Sequence, residues 1–85
     1  MTNSSHRWRR TKSIDSGWRE LHDEDWSLVD EDTGDVLARI FDTQTPDILG
    51  SWRWWLAPFY LIDNVGSAQN WTEAKKLVEE RMSRA

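Results

Sequence analysis

The apolar positions of this chain follow two different periods. From Asp25 to Asp30 they alternate, with Trp26 and Leu28 on one side and Ser27 and Val29 on the other, the period of a pleated strand. The same alternation returns from Asp35 to Asp42, where Val36, Ala38 and Ile40 oppose Leu37, Arg39 and Phe41. A third alternating run spans Gly50 to Ala57, with Trp52, Trp54 and Leu56 set against Arg53, Trp55 and Ala57. Tryptophan suits a pleated, half-buried surface, and Pro58, which has no N–H for a ladder, ends this run. From Trp71 the spacing changes to three and four: Trp71, Ala74, Leu77, Val78 and Met82 form one stripe, which predicts an amphipathic helix over residues 71–84.

The polar stretches punctuate these runs. Glu31-Asp32-Thr33-Gly34 reads as a hairpin turn in which Gly34 takes positive φ. Thr43 to Asp47 is a loop by its turn chemistry. Asp63 to Ser67 breaks the apolar pattern after Phe59-Tyr60-Leu61-Ile62. Asn70 is a good N-cap, and Glu73 three residues on completes a form of the capping box. Residues 1–17 lack periodicity and predict a mobile basic arm, with residues 18–85 forming one domain. The expected fold is α+β, in the order β-β-β-α: a three-stranded antiparallel sheet with one C-terminal helix on one face. Trp26, Leu28, Ala38, Ile40, Trp52, Trp54 and Leu56 would face the helix. Val29, Leu37, Arg39, Phe41, Arg53 and Trp55 would line the opposite, open face, with Trp8, Trp18 or Tyr60 as its available covers.

Composition tightens this picture. The chain has 85 residues and no cysteine, so a single small core must hold without disulfides or thiolate zinc. Seven Trp, two Phe and one Tyr supply its bulk. No apolar run approaches the roughly 20 residues of a membrane helix, and no apolar segment follows the basic start as in a secretory signal. A soluble, cytoplasmic protein is expected. The net charge of −4 is unevenly spread: residues 1–20 are basic through Arg7, Arg9, Arg10, Lys12 and Arg19, and residues 21–50 set nine acids against Arg39 alone.

Candidate chemistry is sparse. There is no cysteine nucleophile, Gly-rich phosphate loop or pair of zinc ligands at i, i+4, and His6 and His22 stand alone. A catalytic carboxylate pair needs a cleft with shifted pKa values, and one sheet with one helix offers little cleft. The chain reads as a non-enzyme without cofactor, catalytic residue or metal ligand. Two binding chemistries remain. Exposed Trp, Phe and Arg dominate protein interfaces, and an acidic hairpin steers a basic partner. The candidate partner-binding residues are therefore Asp30, Glu31, Asp32 and Asp35 at the hairpin, with Arg39, Phe41, Arg53 and Trp55 on the open face. That face is also where a homodimer would form. The alternative is a small DNA-binding accessory protein using the basic arm and the open sheet face, with Arg7, Arg9, Arg10, Arg39 and Arg53 on phosphates and Trp8 on a base.

The β-β-β-α order resembles the arm-type DNA-binding domain of phage integrases and, distantly, double-stranded RNA-binding domains. The pattern of Trp26, then Gly34 with Leu37-Ala38-Arg39-Ile40, then Trp52-x-Trp54, then Glu73-Ala74-Lys75 resembles small proteins encoded by bacteriophages and prophages. That resemblance implies a mobile-element inhibitor of the anti-CRISPR kind, which would engage the basic, nucleic-acid-binding surface of a host protein.

Overall fold

The structure, a computed structural model, describes residues 6–14, 21–45, 48–58 and 64–84. Five strands and a helix follow in order: β1 His6–Arg10, β2 Asp25–Asp30, β3 Val36–Asp42, β4 Trp52–Leu56, β5 Val65–Ala68 and α1 Trp71–Arg84, with a short 3-10 turn at Thr11–Ser13 after β1. The strands form one antiparallel sheet in the order β1-β2-β3-β4-β5, and α1 packs on one face, chiefly over β4, β3 and β5. The α+β class and the C-terminal helix agree with the sequence reading. The strand count does not: the sheet has five strands, not three, so the β-β-β-α order that suggested integrase arm domains is not the order of this chain.

The two unforeseen strands lie at the sheet edges. β1 falls inside the segment expected to be an arm. It pairs with β2 from His6↔Asp30 to Arg10↔Trp26, and its charged side chains suit an edge, where they discourage further pairing. β5, Val65 to Ala68, falls where the apolar pattern breaks. Its residues are small because Trp54 needs the space: a Cβ at Gly66 would overlap the Trp54 indole.

The β2–β3 hairpin turns as its residues dictate. The Gly34 N–H donates to the Asp30 carbonyl at 2.7 Å, the Asp30 N–H donates to Asp35 at 2.9 Å, and Gly34 has φ +79°. Beyond the turn the register shifts. Leu28 faces Ala38, whereas Val29 faces Val36, so Leu37 is one extra residue, a β-bulge. A bulge resets alternation. Leu37, expected on the open face, instead packs with Leu56 and Met82 on the helix side.

The core lies between the sheet and α1. Ile40, Ala38, Ala68, Ala74 and Val78 are wholly buried, with Leu28 and Trp54 nearly so, and Trp8, Trp52, Leu56, Trp71, Leu77 and Met82 pack around them. The predicted stripe of α1 is the one it buries. Its start is capped as expected: Asn70 Oδ1 accepts the Glu73 N–H at 2.8 Å, and Glu73 Oε1 accepts the Gln69 N–H at 3.1 Å. At the far edge of the β3–β4 loop Gly50 has φ +102°, and a Cβ there would strike the Ala68 carbonyl.

Candidate binding surface

The sequence-derived site residues separate into two places. At the hairpin tip Asp30, Glu31, Asp32 and Asp35 do gather, but two of them are engaged. The Asp30 carboxylate accepts the Asp32 N–H at 2.9 Å and the Thr33 N–H at 3.4 Å, an Asx turn that shapes the hairpin. Glu31 binds Arg9 at 3.0 and 3.2 Å and Arg7 at 3.3 Å. Pairing of β1 with β2 thus folds the basic segment onto the acidic one. Asp32 and Asp35 are exposed, without an ion-pair partner among the described residues.

The face opposite α1 is not the open patch expected. Arg39 is 4% exposed and Phe41 7%. The Arg39 guanidinium binds both carboxylate oxygens of Asp25, Nε to Oδ1 at 2.8 Å and the terminal nitrogen to Oδ2, and lies 4.6 Å from the Phe41 ring and 5.5 Å from that of Trp55. Thr11 closes the pair, its hydroxyl 2.7 Å from Asp25 Oδ1 and 2.8 Å from Ser27 Oγ. His22 stacks on Phe41 at 4.5 Å, the rings within 10° of parallel, and the His22 backbone N–H donates to Asp25 Oδ2 at 3.1 Å. Burial alone would raise the pKa of Asp25. The hydrogen bond from Arg39, then those from the His22 N–H and the Thr11 hydroxyl, and the charge of Arg39 outweigh it and hold the carboxyl below its ordinary value. Asp25, one of the nine acids between residues 21 and 50, is therefore an interior anion.

Arg53 and Trp55 are half-buried on this face. Arg53 donates to the carbonyls of Gly50 at 2.7 Å and Trp52 at 3.1 Å, and Trp55 meets Phe41 edge-on at 5.5 Å. Without Arg39 and Phe41 the homodimer contact expected here loses half of its named surface. Trp8, one expected cover, lies on the other side of the sheet, edge-on to Trp71 at 5.2 Å. The other two, Trp18 and Tyr60, lie outside the described residues.

A different surface gathers exposed apolar groups at one end of the sheet. Strand β2 begins there, β3 ends, β4 begins and α1 starts. Trp71, the first residue of α1, stands among the rings of Trp26 at 5.4 Å, tilted 44°, and Trp52 at 6.3 Å, tilted 56°. With Glu24 they line a concave groove. Glu24 is fixed at its rim, accepting the Trp26 indole N–H at 3.3 Å and pairing with Arg10 at 3.7 Å. The β3–β4 loop springs from the same end and presents Ile48, 92% exposed, and Leu49, 61% exposed. The alternation had placed Trp26 and Trp52 on one face. The sequence held no signal that α1 would begin above that end of the sheet and bring Trp71 between them.

Fold and surface together define an α+β protein, a five-stranded antiparallel meander with one helix packed on one face and an aromatic groove, with Glu24 at its rim, at the helix start. No family model, curated protein or solved structure matches the chain. The resemblance to small phage-encoded proteins stands on its quoted residues alone. Among the described residues no helix is long and apolar enough to cross a membrane.

Proposed function

We propose that this chain is a non-enzymatic protein-binding module that docks on a basic partner through the sheet end carrying Trp26, Trp52, Trp71, Ile48 and Leu49. The carrying observation is that concentration of half-buried indoles and exposed aliphatic side chains. A small domain has no stabilising reason to hold Ile48 in water, and aromatic anchors ringed by polar groups are the anatomy of an interface. Glu24 in the groove, with exposed Asp23 next to it in the chain and Asp32 and Asp35 at the far tip, gives the surface a negative field that favours a basic partner.

The arginines of the nucleic-acid reading are already committed. Every arginine it relies on is engaged within the chain: Arg7 and Arg9 with Glu31, Arg10 with Glu24 and the Asp23 carbonyl, Arg39 with Asp25, Arg53 with two carbonyls. A phosphate would have to displace those partners, and it would meet nearby carboxylates as it did so.

The test pairs a duplex titration with a capture experiment. Fluorescence anisotropy at two salt concentrations should show no binding to a generic DNA duplex. Immobilised protein should retain a basic protein from nuclease-treated lysate, and Ile48→Glu should abolish retention without altering the melting temperature. Duplex binding by the wild type, or retention that disappears with nuclease, would overturn the protein-binding reading.

A further inference from the structure

We propose that the groove of Trp26, Trp52, Trp71 and Glu24 is an aromatic cage for a methylated lysine ammonium of the protein partner. This rests on the protein-binding reading and assigns the group that enters the groove.

Indole faces carry the most negative quadrupole of the side chains and attract cations within about 6 Å of the ring centre. Here Trp71 stands 5.4 Å from Trp26 and 6.3 Å from Trp52, and the mutual tilts of 44° and 56° make the rings walls of a concavity rather than a flat stack. The molecule already uses one of these rings in this way: the Arg10 guanidinium lies 4.7 Å from the centre of Trp26. Arg10 is not among the residues lining the groove, and its reach is fixed by Glu24 and by the Asp23 carbonyl at 3.2 Å.

The carboxylate is placed for a cation. Glu24 is held by the Trp26 indole N–H at 3.3 Å, and it lines the groove together with that ring. The start of α1 brings positive partial charge to the same place, but Glu73 lies in that first turn and its carboxylate accepts the Gln69 N–H at 3.1 Å, which offsets it. An unmethylated ammonium is strongly hydrated and resists entry into an indole-lined cleft. Methylation spreads the charge, removes donors that would go unpaired and adds apolar surface to meet the rings. A trimethylated lysine is thus the form these walls favour.

The test needs no partner. Indole N–H signals of the folded protein are followed by proton–nitrogen NMR during titration with four ligands. They are a short trimethyl-lysine peptide, the same peptide with unmodified lysine, its carbon analogue bearing a tert-butyl group, and choline. The trimethyl-lysine peptide should move the signals of Trp26, Trp52 and Trp71 at millimolar concentration and leave that of Trp55, on the opposite face, in place. The uncharged analogue should bind about tenfold more weakly. Glu24→Gln, which keeps an acceptor for the Trp26 indole, should weaken binding several-fold while the signals of the other indoles report an intact fold.

Equal binding of the uncharged analogue would reduce the groove to an apolar pocket and overturn the proposal. Equal or tighter binding of choline would assign it to small molecules instead of protein lysine, and overturn it as well. No movement of the three signals at millimolar peptide would mean that Arg10 is the only cation these rings accept. Failure of the lysate capture leaves this titration readable. A silent titration beside successful, Ile48-dependent capture rejects the cage while keeping the protein-binding reading.

Discussion

Trp54 and Asp25 show how much of the molecule hangs on single side chains. Trp54 is 7% exposed, packed over Gly66, with Arg81 lying 5.9 Å from its ring. Trp54→Ala should cost about 3–5 kcal/mol, the range for a large aromatic removed from a core, and so take most of the stability of a domain this size. A cooperative melt within a few degrees of wild type would show that the sheet does not depend on it. Asp25 works through charge. Asp25→Ala takes the buried carboxylate away from the Arg39 cation, a loss of about 3–5 kcal/mol. The acid limb of the stability curve follows from the same pair. Because the folded-state pKa of Asp25 is depressed, its contribution is fully present above the unfolded value of about 3.9. It is lost as pH falls through the lower, folded-state value. Denaturant melts between pH 5 and pH 2 should show wild type losing stability along this limb, and Asp25→Asn losing less.

At the scale of elements, α1 and β1 owe their places to different causes. α1 is locally specified, by the Asn70 cap, Glu73 in the first turn and one apolar stripe. Asn70→Ala should cost about 1 kcal/mol, seen as a lowered denaturant midpoint with unchanged slope. β1 is specified by what it meets. Its Trp8 lies against Trp71, its Arg7 and Arg9 against Glu31, and Thr11, just beyond it, closes the Asp25–Arg39 pair. Removing residues 1–10 should therefore do more than trim a tail. It bares the β2 edge to solvent, an invitation to pair with another chain, and size-exclusion chromatography of the shortened protein should show more association than the full chain does. An unchanged elution volume with an unchanged melt would mean that β1 contributes nothing to the sheet.

For the whole molecule the charge distribution changes meaning once folded. Along the chain a basic start precedes an acidic middle; in space they neutralise each other along β1 and β2. Among the described residues, what remains without an ion-pair partner at the tip is Asp32 and Asp35, because Asp30 shapes the turn and Glu31 holds the arginines. Replacing Asp32 and Asp35 by Asn should change stability by less than about 0.5 kcal/mol. It should slow association with a basic partner, and the difference should vanish as salt rises, since at 0.1 M charges beyond about 10 Å are largely screened. Stopped-flow association at two salt concentrations reads this. A slowing that persists at high salt would place these residues in direct contact with the partner instead.

The sequence by itself determined what short-range periodicity and turn chemistry can carry. β2, β3, β4, the Gly34 hairpin and α1 were all legible, because alternation at two, spacing at three to four and a capping pair are local signals. So was the shared face of Trp26, Leu28, Ala38, Ile40, Trp52, Trp54 and Leu56, which needs only strand alternation in register. Tertiary structure decided the rest. β1 and β5 are strands because β2 and β4 offer edges, and neither His-Arg-Trp-Arg-Arg nor Val-Gly-Ser-Ala has an apolar alternation of its own. The bulge at Leu37 sent one side chain to the other face, where a strictly alternating reading had no means to place it. Arg39, Phe41 and Asp25 looked like surface groups because each is polar or isolated in its own strand. Their burial depends on Thr11 arriving from beyond β1 and on His22, just ahead of β2, folding back over Phe41. The aromatic groove has the same origin: three tryptophans separated along the chain become neighbours only when the helix starts above the end of the sheet.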